Sequence, residues 1–306
     1  MAINNIQPPV YQYGVKELID LLWERKLLII LVTLLFSILS VIYSLNIENT
    51  YKSEVLLESA RNSESSLGQS AAQLGQLASL AGFSIPGAAQ DSTTTDLALL
   101  ESRIFISQFI EKNKLLIPLF AANSWDANEN NLLLDNEIYN SSNKEWVRKV
   151  KPPYNSKPSK LEAIELFKDN FEVQHDKMTG LMLISFEFYS PYFAKELLDN
   201  VVQQFNLYVK TKELSLINAN ISYLEKQAEQ IKNTGMKSVF YSLLEEQQKK
   251  IMLASSSDEY VFRVIDPAVI PEKKFAPKRA IICVLGTFLG FFLSIIIILF
   301  IRLLKG

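Results

Sequence analysis

The stretch LLIILVTLLFSILSVIYSL, Leu27 to Leu45, carries no charged residue, and neither does AIICVLGTFLGFFLSIIIILFI, Ala280 to Ile301. At about 1.5 Å of rise per residue the first spans roughly 28 Å as a helix, close to the hydrocarbon thickness of a bilayer. Both are too long and too apolar for core helices of a soluble domain, and lipid is their favourable surrounding. The first reads as a retained anchor and not a cleaved signal. The residues before it mix Glu17, Asp20 and Glu24 with Lys16, Arg25 and Lys26, and no A-x-A-like site follows Leu45. This divides the chain into a tail over 1–26, a membrane helix over 27–45, a large domain over 46–279, a second membrane helix over 280–301 and a tail over 302–306.

The two tails carry five basic and three acidic residues, whereas 46–279 carries 26 basic and 30 acidic ones. The positive-inside tendency then places both termini in the cytoplasm and the large domain outside. Lys273, Lys274, Lys278 and Arg279 crowd the outer side of the second helix against that tendency, as a basic collar facing headgroups or anionic lipid-linked sugars. With 48% hydrophobic and 21% charged residues the chain folds, and its net charge of -2 argues against a nucleic-acid partner. Cys283 is the only cysteine and lies in an apolar run, so neither an intrachain disulfide nor a thiolate cluster can form. His175 is the only histidine and reads as an ordinary strand residue.

Within the large domain, Tyr51 to Ala60 reads as a strand. Residues 62–90 turn to Ser, Gln, Gly and Ala and read as a loop, with one weak amphipathic turn at Leu67, Ala71, Leu74 and Leu77. Asp91 to Leu116 is expected to be a helix with Leu99, Ile104, Phe109 and Ile110 on its apolar face. Ala122 to Pro158 is polar and Pro/Asn-rich, a loop with short pieces of structure. Ser159-Lys160-Leu161-Glu162 has the capping-box pattern, opening a helix that ends near Asn170. Phe171 to His175 and Leu181 to Phe188 alternate as a hairpin around Lys177 to Gly180; Met182, Ile184, Phe186 and Phe188 point one way, Ser185 and Glu187 the other.

Ser190-Pro191 then supplies an N-cap and a proline at the first helical position, and no Gly or Pro follows until Gly235. The result is a helix over about 191–232, roughly 60 Å long. Ile217, Ile221, Leu224, Ala228 and Ile231 repeat at heptad-like spacing, a stripe that needs a neighbouring helix or further copies of the chain. Gly235 is expected to break the helix before a second amphipathic one over Met236 to Ser255, and Tyr260 to Ile265 closes as a strand.

Residues that would carry chemistry are missing. The sequence holds no Gly-Lys pair of a phosphate-gripping loop, no G-x-S-x-G, no H-E-x-x-H and no C-x-x-C. Glu245-Glu246 reads as solvated charge. No catalytic residue, cofactor or metal site is therefore expected. Two structural motifs stand out instead. Pro267, Pro271 and Pro277 punctuate DPAVIPEKKFAPKR as an extended, semi-rigid strut over 267–277. Gly286 and Gly290 form G-x-x-x-G, which lets two membrane helices approach closely.

Several stretches, taken in order, carry a resemblance. They are VKELIDLLWERK from Val15, YKSEVLL from Tyr51, SRIFISQFI from Ser102, FRVIDP from Phe262, Ala276-Pro277-Lys278, and the Gly286/Gly290 helix. With a span at each end, the chain resembles the Wzz-type polysaccharide co-polymerases, the chain-length determinants of bacterial surface polysaccharides. It departs from them in wider proline spacing and in an apparent insertion over Ala122 to Pro158. The resemblance implies an α+β periplasmic domain with a long projecting helix, anchored by N- and C-terminal transmembrane helices, in a ring-like homo-oligomer of the inner membrane. It also implies that the protein, itself no enzyme, sets the length of a polymer built on undecaprenyl pyrophosphate by a separate Wzy-type polymerase. The absence of a kinase domain from this sequence favours the branch acting on O-antigen of lipopolysaccharide or on enterobacterial common antigen. The alternative is the membrane adaptor of a split tyrosine-kinase system for capsule or exopolysaccharide export.

Overall fold

The computed structural model describes residues 23–60, 92–230 and 234–305. The turn expected at Leu67, Ala71, Leu74 and Leu77, residue Ile231 of the stripe and the lead-in 15–22 lie outside them. In chain order the elements begin with α1 (Lys26–Asn46), β1 (Tyr51–Ser59), α2 (Ser92–Leu100), α3 (Arg103–Lys112) and α4 (Leu116–Ala121). Four short strands follow: β2 (Ala122–Asp126), β3 (Asn131–Leu134), β4 (Tyr139–Asn140) and β5 (Glu145–Trp146). Then come α5 (Lys160–Asn170), β6 (Phe171–His175), β7 (Leu181–Phe188), α6 (Pro191–Gln230), α7 (Thr234–Ser256), β8 (Phe262–Asp266) and α8 (Arg279–Lys305). The chain divides into two compact units, Met1–Asn49 with Ala276–Gly306, and Thr50–Phe275.

The first unit holds α1 and α8, both long and apolar enough to cross a membrane. Their outer faces carry exposed Leu31, Leu35, Phe288, Phe292 and Phe300, a continuous apolar surface that water does not tolerate and hydrocarbon does.

The second unit is an α+β domain. Its antiparallel sheet has the order β6-β7-β1-β8. β1 is central, pairing Tyr51 with Phe188 through Glu58 with Leu181 on one side, and Ser59 with Phe262 on the other. Because side chains alternate across a strand, Val55 and Leu57 share the inner face with Met182, Ile184 and Phe186, all buried. Among the described residues, α3, α5 and α6 cover that face. Ala194, Leu198, Val201 and Phe205 of α6 are buried against it together with Phe167 of α5 and Phe105 and Phe109 of α3. Rings link the layers: Phe205 stacks on Phe262 at 5.2 Å between centroids, and Phe167 lies 5.4 Å from Phe186. Burying one such ring is worth about 2–3 kcal/mol, so the core is concentrated where α6 crosses β1 and β7.

Several local expectations are corrected. The helix expected over Asp91 to Leu116 is divided into α2 and α3, and α4 begins at Leu116. Ser102 is extended (ψ 146°) and its hydroxyl accepts the Phe105 amide at 3.2 Å, so it ends α2 and caps α3. The C-terminus of α3 is a Schellman turn with Lys114 at φ +54°. The Leu115 amide bonds the Ile110 carbonyl at 3.0 Å and the Lys114 amide bonds Glu111 at 3.2 Å. Ile104, placed on the apolar face, is 62% exposed, because Phe105 and Ile106 turn inward instead. Ser185 does stand on the outer face, in register with Glu54 and Glu172, and is buried there. Gly235 does not break the long helix: α6 ends at Gln230, and Gly235 lies in the first turn of α7. The strand expected to begin at Tyr260 begins at Phe262.

The expected capping box of α5 is formed. The Ser159 hydroxyl accepts the Glu162 amide at 3.2 Å, and Glu162 Oε1 accepts the Ser159 amide at 2.8 Å. Ser190 caps α6 through the Phe193 amide at 3.2 Å, with Pro191 at the first helical position.

Candidate functional site

Gly286 and Gly290 of α8 face α1 of the same chain. A Cβ built on Gly286 would stand 2.3 Å from Ser40 Cβ, and one on Gly290 would stand 2.6 Å from Phe36 Cβ and 3.3 Å from Thr33 Cα. Rising numbers on α8 meet falling numbers on α1, so the two helices run antiparallel. Ser44 and Ser294, one turn further along each helix, are buried. Small residues at four-residue spacing let helix backbones meet, and dispersion contacts replace the hydrophobic drive that lipid removes. At the head of α8, Arg279 donates to Asn49 Oδ1 at 3.1 Å.

The segment after β8 forms neither helix nor strand through Pro267 and Pro271. It is tied to the sheet by its backbone: the Val269 carbonyl accepts the Ser53 hydroxyl at 2.8 Å, and the Phe275 amide donates to the Thr50 carbonyl at 2.8 Å. Ala268 is buried between these two ties and β8. Pro277 falls in the other unit. The outer face of the sheet is laced by charge. Lys52 Nζ lies 2.9 Å from Glu172 and 5.1 Å from the Phe275 ring centroid, and Arg263 lies 3.0 Å from Glu58. Partial burial opposes the Lys52 charge, but Glu172 and Glu54 outweigh it and hold the ammonium above its ordinary pKa. Its hydrogen bond in turn holds Glu172 below the ordinary carboxylate range.

Helices α6 and α7 pack on each other as a hairpin, and just past the end of α7 the Ser257 carbonyl accepts from Lys210 at 2.9 Å while the Tyr260 hydroxyl donates to Glu213. Val209 is the last residue of α6 buried in the core, and beyond it only Ala228 is buried. Ile217, Ile221 and Leu224 are half-buried on this distal part. Helix α7 brings a matching set at alternating four- and three-residue spacing, Phe240, Leu244, Gln247, Ile251 and Ala254. The stripe thus has a partner inside its own chain.

Sequence reasoning missed the residue that ties this hairpin to the sheet. Asn206, buried, accepts the Val261 and Phe262 amides on Oδ1 at 2.7 and 2.9 Å and donates to the Phe262 carbonyl at 2.9 Å. A lone Asn within an apolar run of α6 was the only available signal. Also missed was a cleft of about 380 Å3 between α3 and α6. Phe105, Phe109 and Tyr208 line it, with Lys112, Lys212 and Gln108 around them. At its side Gln204 and Asn113 pair their amides at 2.8 and 3.2 Å. Among the described residues no group of His, Cys, Asp and Glu is arranged to hold a metal ion.

Two family models match separate parts of this chain. Residues 14–113, from the lead-in through α3, match the family model of the chain length determinant protein (Wzz). Residues 232–303, from α7 through the proline segment into α8, match the G-rich domain on putative tyrosine kinase (GNVR). No curated protein matches the chain. Among solved structures, a full-length bacterial polysaccharide co-polymerase is 14% identical with a TM-score of 0.37, covering 95% of this chain and 98% of that one. A fragment of the co-polymerase WzzB from Salmonella Typhimurium is 11% identical with a TM-score of 0.30, covering 74% of this chain and 100% of that one. The two family matches together take in more than half of the chain and include both apolar helices. Residues 14–113 place a chain length determinant (Wzz) domain in this chain.

Proposed function

We propose that this protein is a non-enzymatic regulator of the chain length of a surface polysaccharide. The polymer is O-antigen of lipopolysaccharide or enterobacterial common antigen, built on undecaprenyl pyrophosphate by a Wzy-type polymerase. The match of residues 14–113 to the chain length determinant family carries this reading. The protein acts as a ring-like homo-oligomer in the bacterial inner membrane, with both termini cytoplasmic and residues 46–279 periplasmic. An antiparallel pair of apolar helices supports that topology, because two such spans return the chain to the side on which it started. The sheet, the tied proline segment and α8 form one covalent line through which the periplasmic domain acts on the membrane helices.

A clean deletion, with the surface polysaccharide resolved by gel electrophoresis, tests the reading. A changed length distribution at sustained total polymer is expected; complete loss of polymer argues for an essential enzymatic or export role. One observation favours a second reading, the membrane adaptor of a split tyrosine-kinase system. The GNVR match over 232–303 is to a domain described on putative tyrosine kinases. Neighbouring genes for a kinase, a phosphatase and an outer-membrane exporter, in place of a polymerase, would favour the adaptor.

A further inference from the structure

The cleft between α3 and α6 has an unbalanced charge. Lys112, in the last turn of α3, and Lys212, on α6, are exposed at its rim, and no carboxylate lines it. Lys52, Lys160, Lys195, Lys210 and Lys250 each stand within ion-pair distance of an Asp or Glu, whereas Lys114, Lys144 and further exposed lysines of the domain do not. Among the described residues, Lys112 and Lys212 make no ion pair. An anion seated in this cleft would meet two lysine side chains and no carboxylate.

The rest of the lining narrows what that anion is. Gln108, Thr211 and Ser215 bring an amide and two hydroxyls with no side-chain hydrogen bond among the described residues. Tyr208 is half-buried with its ring 5.6 Å from that of Phe105, offering an apolar surface beneath the polar rim. Such a lining of aromatic surface, neutral hydrogen-bonding groups and cations fits a ring that has an apolar side, hydroxyls around its edge and a negative substituent. At about 380 Å3 the cleft falls in the size range of small-ligand sites, about 300–1,000 Å3. The Gln204–Asn113 amide pair braces its wall by joining α6 to the end of α3.

We propose that this cleft binds an acidic sugar unit, carrying a uronate or a phosphate, of the polysaccharide whose length the protein sets. The proposal rests on the chain-length reading and deepens it: the polymer is anionic, and the domain holds it directly. The test uses the full chain in nanodiscs, titrated by calorimetry with an oligogalacturonate tetramer, with maltotetraose as neutral probe and with a tetra-glutamate peptide. The uronate is expected to bind about tenfold more tightly than either other probe, weakening as salt is raised. Lys112→Gln with Lys212→Gln should lower that affinity about tenfold or more at unchanged circular dichroism, while Lys195→Gln leaves it intact. Equal affinity for maltotetraose, or affinity unaffected by the double substitution, overturns the proposal. So does equal binding of tetra-glutamate, which would assign the cleft to a protein carboxylate. Cellular profiles separate the two claims. If deletion alters the polymer length but the double variant restores the wild-type profile, the cleft assignment fails and the chain-length reading stands. If deletion leaves the profile unchanged, the chain-length reading fails, and the proposal fails with it.

Discussion

Gly290 lies against Phe36, with no room for even a methyl group between α8 and α1. A Cβ at position 290 would stand 2.6 Å from the Cβ of Phe36, and at position 286 a Cβ would stand 2.3 Å from that of Ser40. No van der Waals contact is that short, so any larger residue forces the helices apart. Loss of close backbone packing in a membrane costs on the order of 1 kcal/mol per contact, small against insertion itself. Gly286→Leu with Gly290→Leu is therefore expected to insert and accumulate normally, yet to lower the thermal stability of the detergent-solubilised protein and to disturb the polysaccharide length profile. Pro271→Ala with Pro277→Ala should disturb that profile more mildly. Wild-type profiles from both double variants, at normal protein levels, would confine regulation to the domain outside the membrane.

Asn206 is the polar tie between α6 and the start of β8. Asn206→Leu leaves the Val261 and Phe262 amides without their acceptor in a buried setting. An unsatisfied buried group costs about 1–3 kcal/mol, so a total loss of about 3 kcal/mol is expected in chemical denaturation. A change below about 1 kcal/mol would mean that water replaces the amide.

Helix α6 beyond Val209 is held by α7, through the stripe Ile217, Ile221 and Leu224. Ile221→Asp with Leu224→Asp should unfold the distal hairpin, read as faster amide exchange over α7, while the sheet keeps its protection. Native mass spectrometry on the same variant tells whether the stripe also joins copies of the chain. An oligomer that survives the loosened hairpin restricts these residues to packing within one protomer.

Burial disfavours the charge of Glu162, but the Ser159 amide at 2.8 Å and the Arg148 guanidinium at 2.7 Å outweigh it, holding its pKa below the ordinary value of 4.5. A depressed carboxylate pKa adds stability above the ordinary value, and that stability is lost as pH falls from 4.5 through the folded value. Glu162→Gln should accordingly be less stable than the wild type at neutral pH, and the gap should close on acidification below about pH 4.5. Glu172 and Asp176 are depressed too, so the variant keeps part of the acid sensitivity. A constant gap from neutral to acid pH would show that the side chain acts by packing alone.

Lys114 sits in the left-handed region at φ +54°, where a Cβ costs about 1–2 kcal/mol and glycine costs little beyond its backbone entropy. Lys114→Gly is expected to raise stability by about 0.5–1 kcal/mol, measured by thermal melting. A destabilised variant would assign the lysine a contact that outweighs its strain.

What the sequence by itself determined is whatever a local rule enforces. Charge-free runs around Leu27–Leu45 and Ala280–Ile301 leave lipid as their only favourable surrounding. Ser159/Glu162 and Ser190/Pro191 close helix ends with partners three residues away, and Met182, Ile184, Phe186 and Phe188 alternate with the period of a strand. The tertiary structure decided what depends on distant partners. Residues 91–116 have helical composition throughout, and the break at Ser102 follows from where Phe105 and Ile106 must turn to reach Phe205 and the core. A four-and-three stripe specifies that a helix has a partner but not which one, since a heptad looks alike whether the neighbour is α7 or another chain. In the same way G-x-x-x-G fixes close approach, and only the packed helices name Ser40 and Phe36 as what is approached. Lys112 and Lys212 are a hundred residues apart, and nothing local distinguishes them from solvated surface. Folding brings α3 and α6 together and leaves those two charges facing one cleft.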